Sequence, residues 1–155
     1  MTIAQRPVTG LECKLYYNTA THASPTWVEI KKAINVNYTI SKGEADQSSR
    51  ESTWRKNLTT LKDLEITFSY RKKAGTDTVF DALIAAALAD TIYEYAVLDA
   101  AHTESGAQGV RAFCQITSAG NSQELEGTEE IEFTLKPAYK EEGAVEISPD
   151  WYKVT

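Results

Sequence analysis

Few residues in this sequence have the types and spacing that catalysis or metal binding requires. His22 and His102 both lie in polar, loop-like segments, and neither has a partner at the spacing of metal ligands. Ser and Asp residues are present, but the sequence contains no Gly-x-Ser-x-Gly elbow, no glycine-rich phosphate loop and no Cys-x-x-Cys pair. We therefore interpret both histidines as solvated and expect no enzymatic activity, no cofactor and no metal.

Paired carboxylates are the other arrangement with catalytic potential. Glu130 and Glu132 lie two apart on one side of a strand whose other side is apolar, and Glu124 and Glu126 repeat this spacing. Glycoside hydrolysis needs two carboxylates that flank a substrate and differ in pKa. Neighbours on one exposed strand face do neither, so they favour a solvated acidic face. A small esterase or glycosidase is the least supported class.

The net charge of −6 is concentrated at one end of the chain. Residues 124–155 hold nine acidic residues and three lysines, whereas acids and bases balance in residues 1–123. An acidic surface repels phosphate, which disfavours tight or sequence-specific nucleic-acid binding. The short basic run Arg71-Lys72-Lys73 is interpreted as a solvated turn.

Length and composition indicate one folded domain. The 155 residues are 42% hydrophobic and 25% charged, as in ordinary globular proteins. The first residues lack the apolar core of a secretory signal, and no apolar run approaches a membrane span, so we expect synthesis in the cytoplasm and no membrane partner. Cys13 and Cys114 lie on the apolar side of strand-like alternations and are predicted to be buried free thiols.

Alternating apolar and polar residues predict about seven antiparallel strands. The first strand would bury the face of Leu11, Cys13 and Leu15, and a later one the face of Ile34, Val36 and Tyr38. The segment 91–98 is apolar on both parities, which is typical of a strand covered on both faces.

One segment has helical rather than strand periodicity. Val79, Phe80, Leu83 and Ile84 are spaced as one face of an amphipathic helix over about 76–89, with Thr76 as its cap. An isolated helix of this length is marginal in water and needs a sheet to pack on. We therefore predict a mainly β protein, an antiparallel β-sandwich or barrel with one flanking α-helix.

Three segments lack periodicity and divide the chain. They are an N-terminal arm at 1–10, a long polar loop at 41–57 and a C-terminal arm at 137–155, so that 11–136 forms the β-domain. The loop contains Trp54, and the C-terminal arm contains Tyr139, Trp151 and Tyr152. Trp and Tyr are enriched where surfaces meet a partner. These aromatics either contact a partner or fold back on their own domain.

The order of these features resembles the major tail tube proteins of tailed bacteriophages. The resemblance covers about 11–136 and is a pattern of elements without an invariant motif. Its parts are the long polar loop ending in Trp54-Arg55-Lys56-Asn57-Leu58, a strand at 64–70, the single helix, a strand at 93–97, and two late strands at 109–120 and 127–135.

The resemblance implies a structural subunit without catalysis. Such subunits join into hexameric rings whose sheets close into a barrel, and the rings stack into a tube that conducts DNA; related tubes occur in contractile injection machines. Implied partners are other copies, initiator and terminator proteins and, in contractile tails, a sheath. The implied location is the virion tail, after assembly in the cytoplasm of the bacterial host.

The resemblance also suggests which residues form the contacts. The loop 41–57 and the terminal arms would pack against neighbouring subunits, which gives an interface of Arg50, Trp54, Arg55, Trp151 and Tyr152. A lumen that lets DNA slide without specific binding should be polar or acidic. The candidate lumen residues are Asn35, Asn37, Glu130 and Glu132.

A second function class stays open at this point. A small β-sandwich that binds carbohydrate would use Trp27, Trp54 and Tyr93 as a platform on which a sugar ring stacks.

Overall fold

A computed structural model describes residues 6–155, so the part of the predicted N-terminal arm at 1–5 lies outside the described residues. Within 6–155 the chain forms ten strands and a single helix, α1 (Thr78–Ala89). The mainly β, antiparallel class with one helix is confirmed. The strands are β1 (Lys14–Asn18), β2 (Trp27–Glu29), β3 (Ala33–Asp46), β4 (Asn57–Arg71), β5 (Tyr93–Leu98), β6 (Gln108–Ser122), β7 (Glu130–Pro137), β8 (Glu141–Glu142), β9 (Val145–Glu146) and β10 (Asp150–Lys153).

The main sheet has the strand order β2-β1-β5-β6-β7-β4-β3, and every pairing in it is antiparallel. The long strand β6 joins the β2-β1-β5 part of the sheet to the β7-β4-β3 part. The N-terminal half of β6 pairs with β5 on one edge and with β10 on the other, and its C-terminal half pairs with β7. Strands β8 and β9 form a separate two-stranded hairpin.

The core lies on one face of this sheet, where α1 covers it. Phe68 of β4 stacks on Phe133 of β7 with ring centroids 5.2 Å apart, and both are fully buried. The helix adds Phe80, Leu83 and Ala86 to the same cluster. Burying a side chain the size of Leu83 stabilises the fold by about 2 kcal/mol, which an isolated helix would lack.

The N-cap of the helix lies one residue later than predicted. Asp77, not Thr76, is the N-cap, and its Oδ1 accepts a hydrogen bond from the backbone N–H of Phe80 at 3.3 Å. Its Oδ2 accepts from Lys32 Nζ and from the Tyr70 hydroxyl, each at 2.6 Å. A carboxylate has enough lone pairs for all three donors, whereas a threonine hydroxyl does not. The hydrogen bond from Lys32 holds the pKa of Asp77 at about 2.

Strand β1 differs from the half-buried strand that its alternation predicts. It begins only at Lys14, so Leu11 and Cys13 precede it and are exposed, and the prediction of a buried Cys13 is wrong. Both faces of β1 are covered, because Leu15 packs into the main core and Tyr16 into a small second cluster on the opposite side. Cys114 is buried as predicted, and burial raises the pKa of its thiol to about 12.

The predicted loop 41–57 is shorter in the structure. Strand β3 runs to Asp46 and β4 begins at Asn57, so the connection covers only residues 47–56. Ala45 pairs with Leu58 in the ladder of this long β3–β4 hairpin. The far end of the hairpin extends beyond the core with both faces exposed, so its sequence carries no apolar alternation that could have revealed the strands.

Candidate self-assembly surfaces

Four neighbouring strands form one continuous polar face on the side opposite the core. The strands are the C-terminal half of β6, β7, β4 and β3. Glu132 pairs across the sheet with Ser69, and Asn37 pairs with Thr67. Directly paired residues point to the same side of a sheet. The structure therefore brings Asn37, Glu130 and Glu132, predicted from two distant segments, onto one surface, which we call the polar face.

Asn35 has a different position from the other three predicted lumen residues. It has a left-handed backbone with φ of 51°, at a register shift between Ile34 and Asn37. This β-bulge changes which residues face the core: Ile34 pairs with Ser69 on the polar side, whereas Val36 packs against the core. The predicted common face of Ile34 and Val36 is thus wrong. Asn adopts the left-handed conformation more readily than most residues, which was the available signal for a bulge.

The charges on the polar face are acidic in excess and largely paired. Arg71 Nε lies 3.0 Å from Glu130 Oε1, and Lys136 Nζ lies 2.9 Å from Glu65 Oε2 and 3.3 Å from Asp63 Oδ2. Both cations are therefore neutralised by acids of the same face. Alongside residues 63–71 of β4, the remainder of the face consists of Glu132, Ile34 and uncharged Ser, Thr, Asn and Gly residues, so it offers phosphate groups little attraction.

Both edges of these four strands are open. Strand β3 pairs with β4 alone, so along 33–46 no strand of the described chain covers its outer edge. The pairing of β6 with β5 ends at Cys114, which leaves 115–122 with β7 on one edge and no described strand on the other. Unpaired edges present rows of N–H and C=O groups that template pairing with another chain. The two open edges lie on opposite sides of the polar face.

Large apolar side chains are exposed along the β3–β4 hairpin. Ile40, Leu58 and Leu61 project from its strands, with Leu61 exposed to 87%. Trp54, exposed to 79%, lies in the connecting turn, which is closed by a hydrogen bond from the Lys56 backbone N–H to Ser48 Oγ at 2.9 Å. Exposed apolar residues gathered on one projecting element are typical of a surface that meets a partner.

The five predicted interface residues fall in two places. Arg50, Trp54 and Arg55 are all exposed in the turn of the hairpin. Trp151 is half-exposed on β10, where its Nε1 donates to Gln108 Oε1 at 3.1 Å. Tyr152 points to the other side of β10 and packs on its own domain. The interface role of all five stays a prediction.

Tyr152 and its surroundings tie the C-terminal segment to the sheet. Its ring centroid lies 6.0 Å from that of Trp27, and the Arg111 guanidinium carbon lies over the ring, 4.5 Å from the same centroid. Arg111 also contacts Asp150 Oδ2 at 3.1 Å. Strand β10 is therefore a part of the main sheet within the segment predicted as an arm.

A buried ionic cluster was not predicted. Glu94 of β5 is only 2% exposed; it accepts a hydrogen bond from Asn18 Nδ2 at 3.2 Å and another from His22 Nδ1. The backbone N–H of His22 also donates to Glu142. The interpretation of His22 as solvated is wrong, because its loop folds back over the sheet. The sequence did contain one signal for this cluster. Glu94 is a charged residue in a strand predicted to be covered on both faces, and a buried charge needs hydrogen-bond or ion-pair partners.

The second histidine is also packed rather than solvated. His102 stands edge-on to the Tyr16 ring with centroids 5.0 Å apart, and its backbone N–H donates to the Tyr16 hydroxyl at 3.3 Å.

The hydrogen bonds of His22 leave it no catalytic position. Its Nε2 lies 3.3 Å from Arg111 Nη2, and because a guanidinium can only donate, Nε2 must accept. Nδ1 therefore carries the proton and donates it to Glu94. With both ring nitrogens occupied, neither can take a proton from a nucleophile. The cluster holds the loop and the C-terminal segment in place.

Between residues 6 and 155, no group of three or more His, Cys, Asp and Glu side chains is placed to hold a metal. No helix in that part of the chain combines the length and apolarity needed to cross a bilayer. The aromatic platform of the carbohydrate hypothesis is not assembled either: Trp27 packs on Tyr152, Tyr93 packs on Tyr17, and Trp54 lies on the β3–β4 hairpin at the far end of the strand order.

Comparison with known proteins found similarity in structure alone. No protein-family model and no curated protein matches the sequence. The SPP1 tail tube has a TM-score of 0.72 and 16% identity, and the match covers 95% of this chain and 80% of that chain. A chain from the tail of an empty gene transfer agent particle, determined with C6 symmetry, has a TM-score of 0.63 and 17% identity over 84% of this chain and 93% of that one.

The similarity extends beyond viral tails. A chain of the sheath–tube complex of an extracellular contractile injection system has a TM-score of 0.64 and 11% identity, over 97% of this chain and 94% of that one. At these identities the similarity is one of fold. The expectation that this sequence folds like the tube proteins of tails and injection machines is confirmed.

Proposed function

We propose that this chain is a non-catalytic tail tube subunit that assembles through the two open edges of its polar face. The outer edge of β3 in one copy would pair with the C-terminal half of β6 in the next. The observation that carries this proposal is the placement of two unpaired edges on opposite sides of the same four strands. Such a contact joins two different surfaces, so it repeats from copy to copy and closes into a ring when the rotation allows.

The dimensions of such a ring fit a channel. Four strands spaced about 4.8 Å apart span about 19 Å in each copy, measured perpendicular to the strands. Six copies, the number that the resemblance implies, would give a barrel of about 24 strands and, at a tilt of about 40°, a diameter of about 48 Å. Barrels of 16–18 strands already enclose an aqueous channel.

The polar face would line that channel. The core side of the same strands is covered by α1, so closing the sheet into a ring with the helix outside leaves Asn37, Glu130 and Glu132 facing inward, with Asn35 in the bulge beside them. The cations of this face are paired with its own acids. Phosphate would therefore meet a wall without free positive charge, and DNA would pass without specific binding.

The exposed hairpin turn and the C-terminal segment would supply further contacts. Arg50, Trp54 and Arg55 project from the turn, and Trp151 and Tyr152 lie on β10. We assign these surfaces to neighbouring copies and to the proteins that start, end or surround a tube, including a sheath in a contractile tail. The subunit would be made in the cytoplasm of the bacterial host and end in the virion tail.

Hydrogen exchange tests the edge pairing. In the monomer, the outward-pointing amides of β3 and those of 115–122 that point away from β7 should exchange fast, and they should become protected in the assembled protein. Amides of β5, which is paired with β1 on one edge and β6 on the other, should be protected in both states and serve as the internal control. Equal exchange at both edges before and after assembly would contradict the proposal.

A further inference from the structure

An open groove lies between the β3–β4 hairpin and the C-terminal segment. Its volume is about 660 Å³. Part of its lining is apolar, and Leu61 and Trp151 in it are exposed. A group bound in the groove would bury these two side chains. The apolar lining consists of Ile40, Leu61, Leu64, Val110, Pro137 and Trp151.

Two lysines of this groove face each other across the hairpin. Lys42 and Lys62 are directly paired in the β3–β4 ladder, and both line the groove. Like charges directly opposite one another destabilise a strand pair. Neither lysine forms a salt bridge within residues 6–155. Two acids of the groove are already paired, Asp63 with Lys136 and Asp150 with Arg111. The third acid, Glu146, can offset the charge of only one lysine. The groove is thus suited to an apolar group flanked by carboxylates.

The turn between β6 and β7 carries such a group. Leu125 is fully exposed at the tip of this turn, with Glu124 on one side and Glu126 on the other. The turn is closed by a hydrogen bond from the Gly127 backbone N–H to the Glu124 carbonyl at 3.2 Å. A leucine held out in this way buries no surface in its own subunit, so contact with another chain would gain its full hydrophobic contribution.

The turn and the groove lie at opposite ends of the same strands. Arg71 of β4 pairs with Glu130 beside the turn, whereas Leu64 of β4 lines the groove. These two positions are seven residues apart, which corresponds to about 23 Å along the strand. One subunit therefore cannot fill its own groove with its own turn, but a second copy placed end to end can.

We propose that Leu125 of one copy inserts into the groove of a second copy, with Glu124 and Glu126 beside Lys42 and Lys62. This contact rests on the proposed tube function and adds a direction to it. Edge pairing joins copies side by side, whereas this contact joins them end to end along the strand direction. Each contact joins two different surfaces, so each can repeat from copy to copy. The two contacts use different residues, so a subunit can form both at once.

Charge reversal with rescue tests the contact. Lys62→Glu and Glu126→Lys should each raise the concentration needed for assembly on the order of tenfold, because each places like charges together. The double variant, which restores opposite charges across the contact, should recover most of the loss. Leu125→Ala should weaken assembly similarly, whereas the matched control Leu88→Ala, at a leucine that is 83% exposed on α1, should not. Unchanged circular dichroism and thermal midpoints would show that the variants fold.

The outcomes separate this contact from the proposed function. If the wild type forms rings or tubes and Leu125→Ala and Glu126→Lys assemble equally well, the contact is overturned and the tube function is not. A photoreactive residue at position 125 should cross-link to residues 40–64 or 146–151 of a second copy, and cross-links confined to other regions would also overturn the contact. A wild type that never self-associates would overturn both.

Discussion

Asp77 links three elements through one side chain. It caps α1, binds Lys32 from the segment before β3 and accepts a hydrogen bond from the Tyr70 hydroxyl on β4. Burial raises the pKa of Tyr70, and the Asp77 carboxylate raises it further. The helix is thereby fixed over the core by a charged hydrogen-bond cluster as well as by apolar packing.

The depressed pKa of Asp77 leads to a prediction about acid stability. Its pKa falls from 3.8 to about 2 on folding, so its contribution is complete above about pH 4 and is lost as the pH falls through 2. We expect Asp77→Asn to lower the free energy of unfolding by about 2 kcal/mol at pH 7. The difference from the wild type should shrink between pH 4 and pH 2. Urea unfolding across this range is the measurement, and a constant difference at all pH values would contradict the assignment.

Glu94 supports a second prediction at the residue scale. Glu94→Ala would leave Asn18 and His22 without their buried acceptor and would remove a buried carboxylate 4.0 Å from Arg111, and we expect a loss of about 3 kcal/mol. The C-terminal segment should also become sensitive to proteolysis, because Arg111 and His22 position Asp150 and Glu142. Asp150→Ala, at a half-exposed carboxylate, is the control and should cost below about 1 kcal/mol. Equal losses in the two variants would argue against a central role of Glu94.

Single residues were predictable where regular alternation holds. Glu130, Glu132 and Asn37 lie on the polar side of their strands, as their spacing predicted. The predicted exposure of His22 and the predicted burial of Cys13 were wrong. The surroundings of His22 depend on how a loop folds back, and those of Cys13 on where a strand begins. Neither event leaves a periodic signal in the sequence.

At the scale of elements, the β3–β4 hairpin is the feature that most invites a test. Trp54→Ala should leave the fold and the thermal midpoint unchanged, because the side chain lies in the exposed turn and makes no core contact. Self-association, followed by sedimentation velocity, should weaken by several-fold if the turn contacts a neighbour. Leu88→Ala provides the control for a general loss of exposed apolar surface. Equal self-association of the wild type and Trp54→Ala would remove the turn from the interface.

Helices and strands were predictable where one face is buried along their whole length. The helix, which lies on the core along one stripe, was predicted within two residues at its start and ends as predicted at Ala89. The outer half of the hairpin was interpreted as a loop because neither of its faces is buried. The short strand β10 was missed because its four residues are too few to show a clear alternation.

At the scale of the whole molecule, the strand order could not be derived from the sequence. Alternation identifies strands and their faces but does not say which strands are neighbours. The two open edges exist because β3 is last in the strand order and β6 extends past β5, and alternation encodes neither fact. The same order merged two separately predicted polar segments into one face, and that face is the main structural support for a channel.

Electron cryo-microscopy of the assembled protein, at a resolution that separates strands, tests the proposed edge pairing most directly. We expect a hollow tube whose inner wall is a continuous sheet, with β3 of one copy beside the C-terminal half of β6 of the next. Glu132 should face the channel and α1 should lie outside. A filament without a channel, or a tube in which both edges stay unpaired, would contradict the proposed assembly.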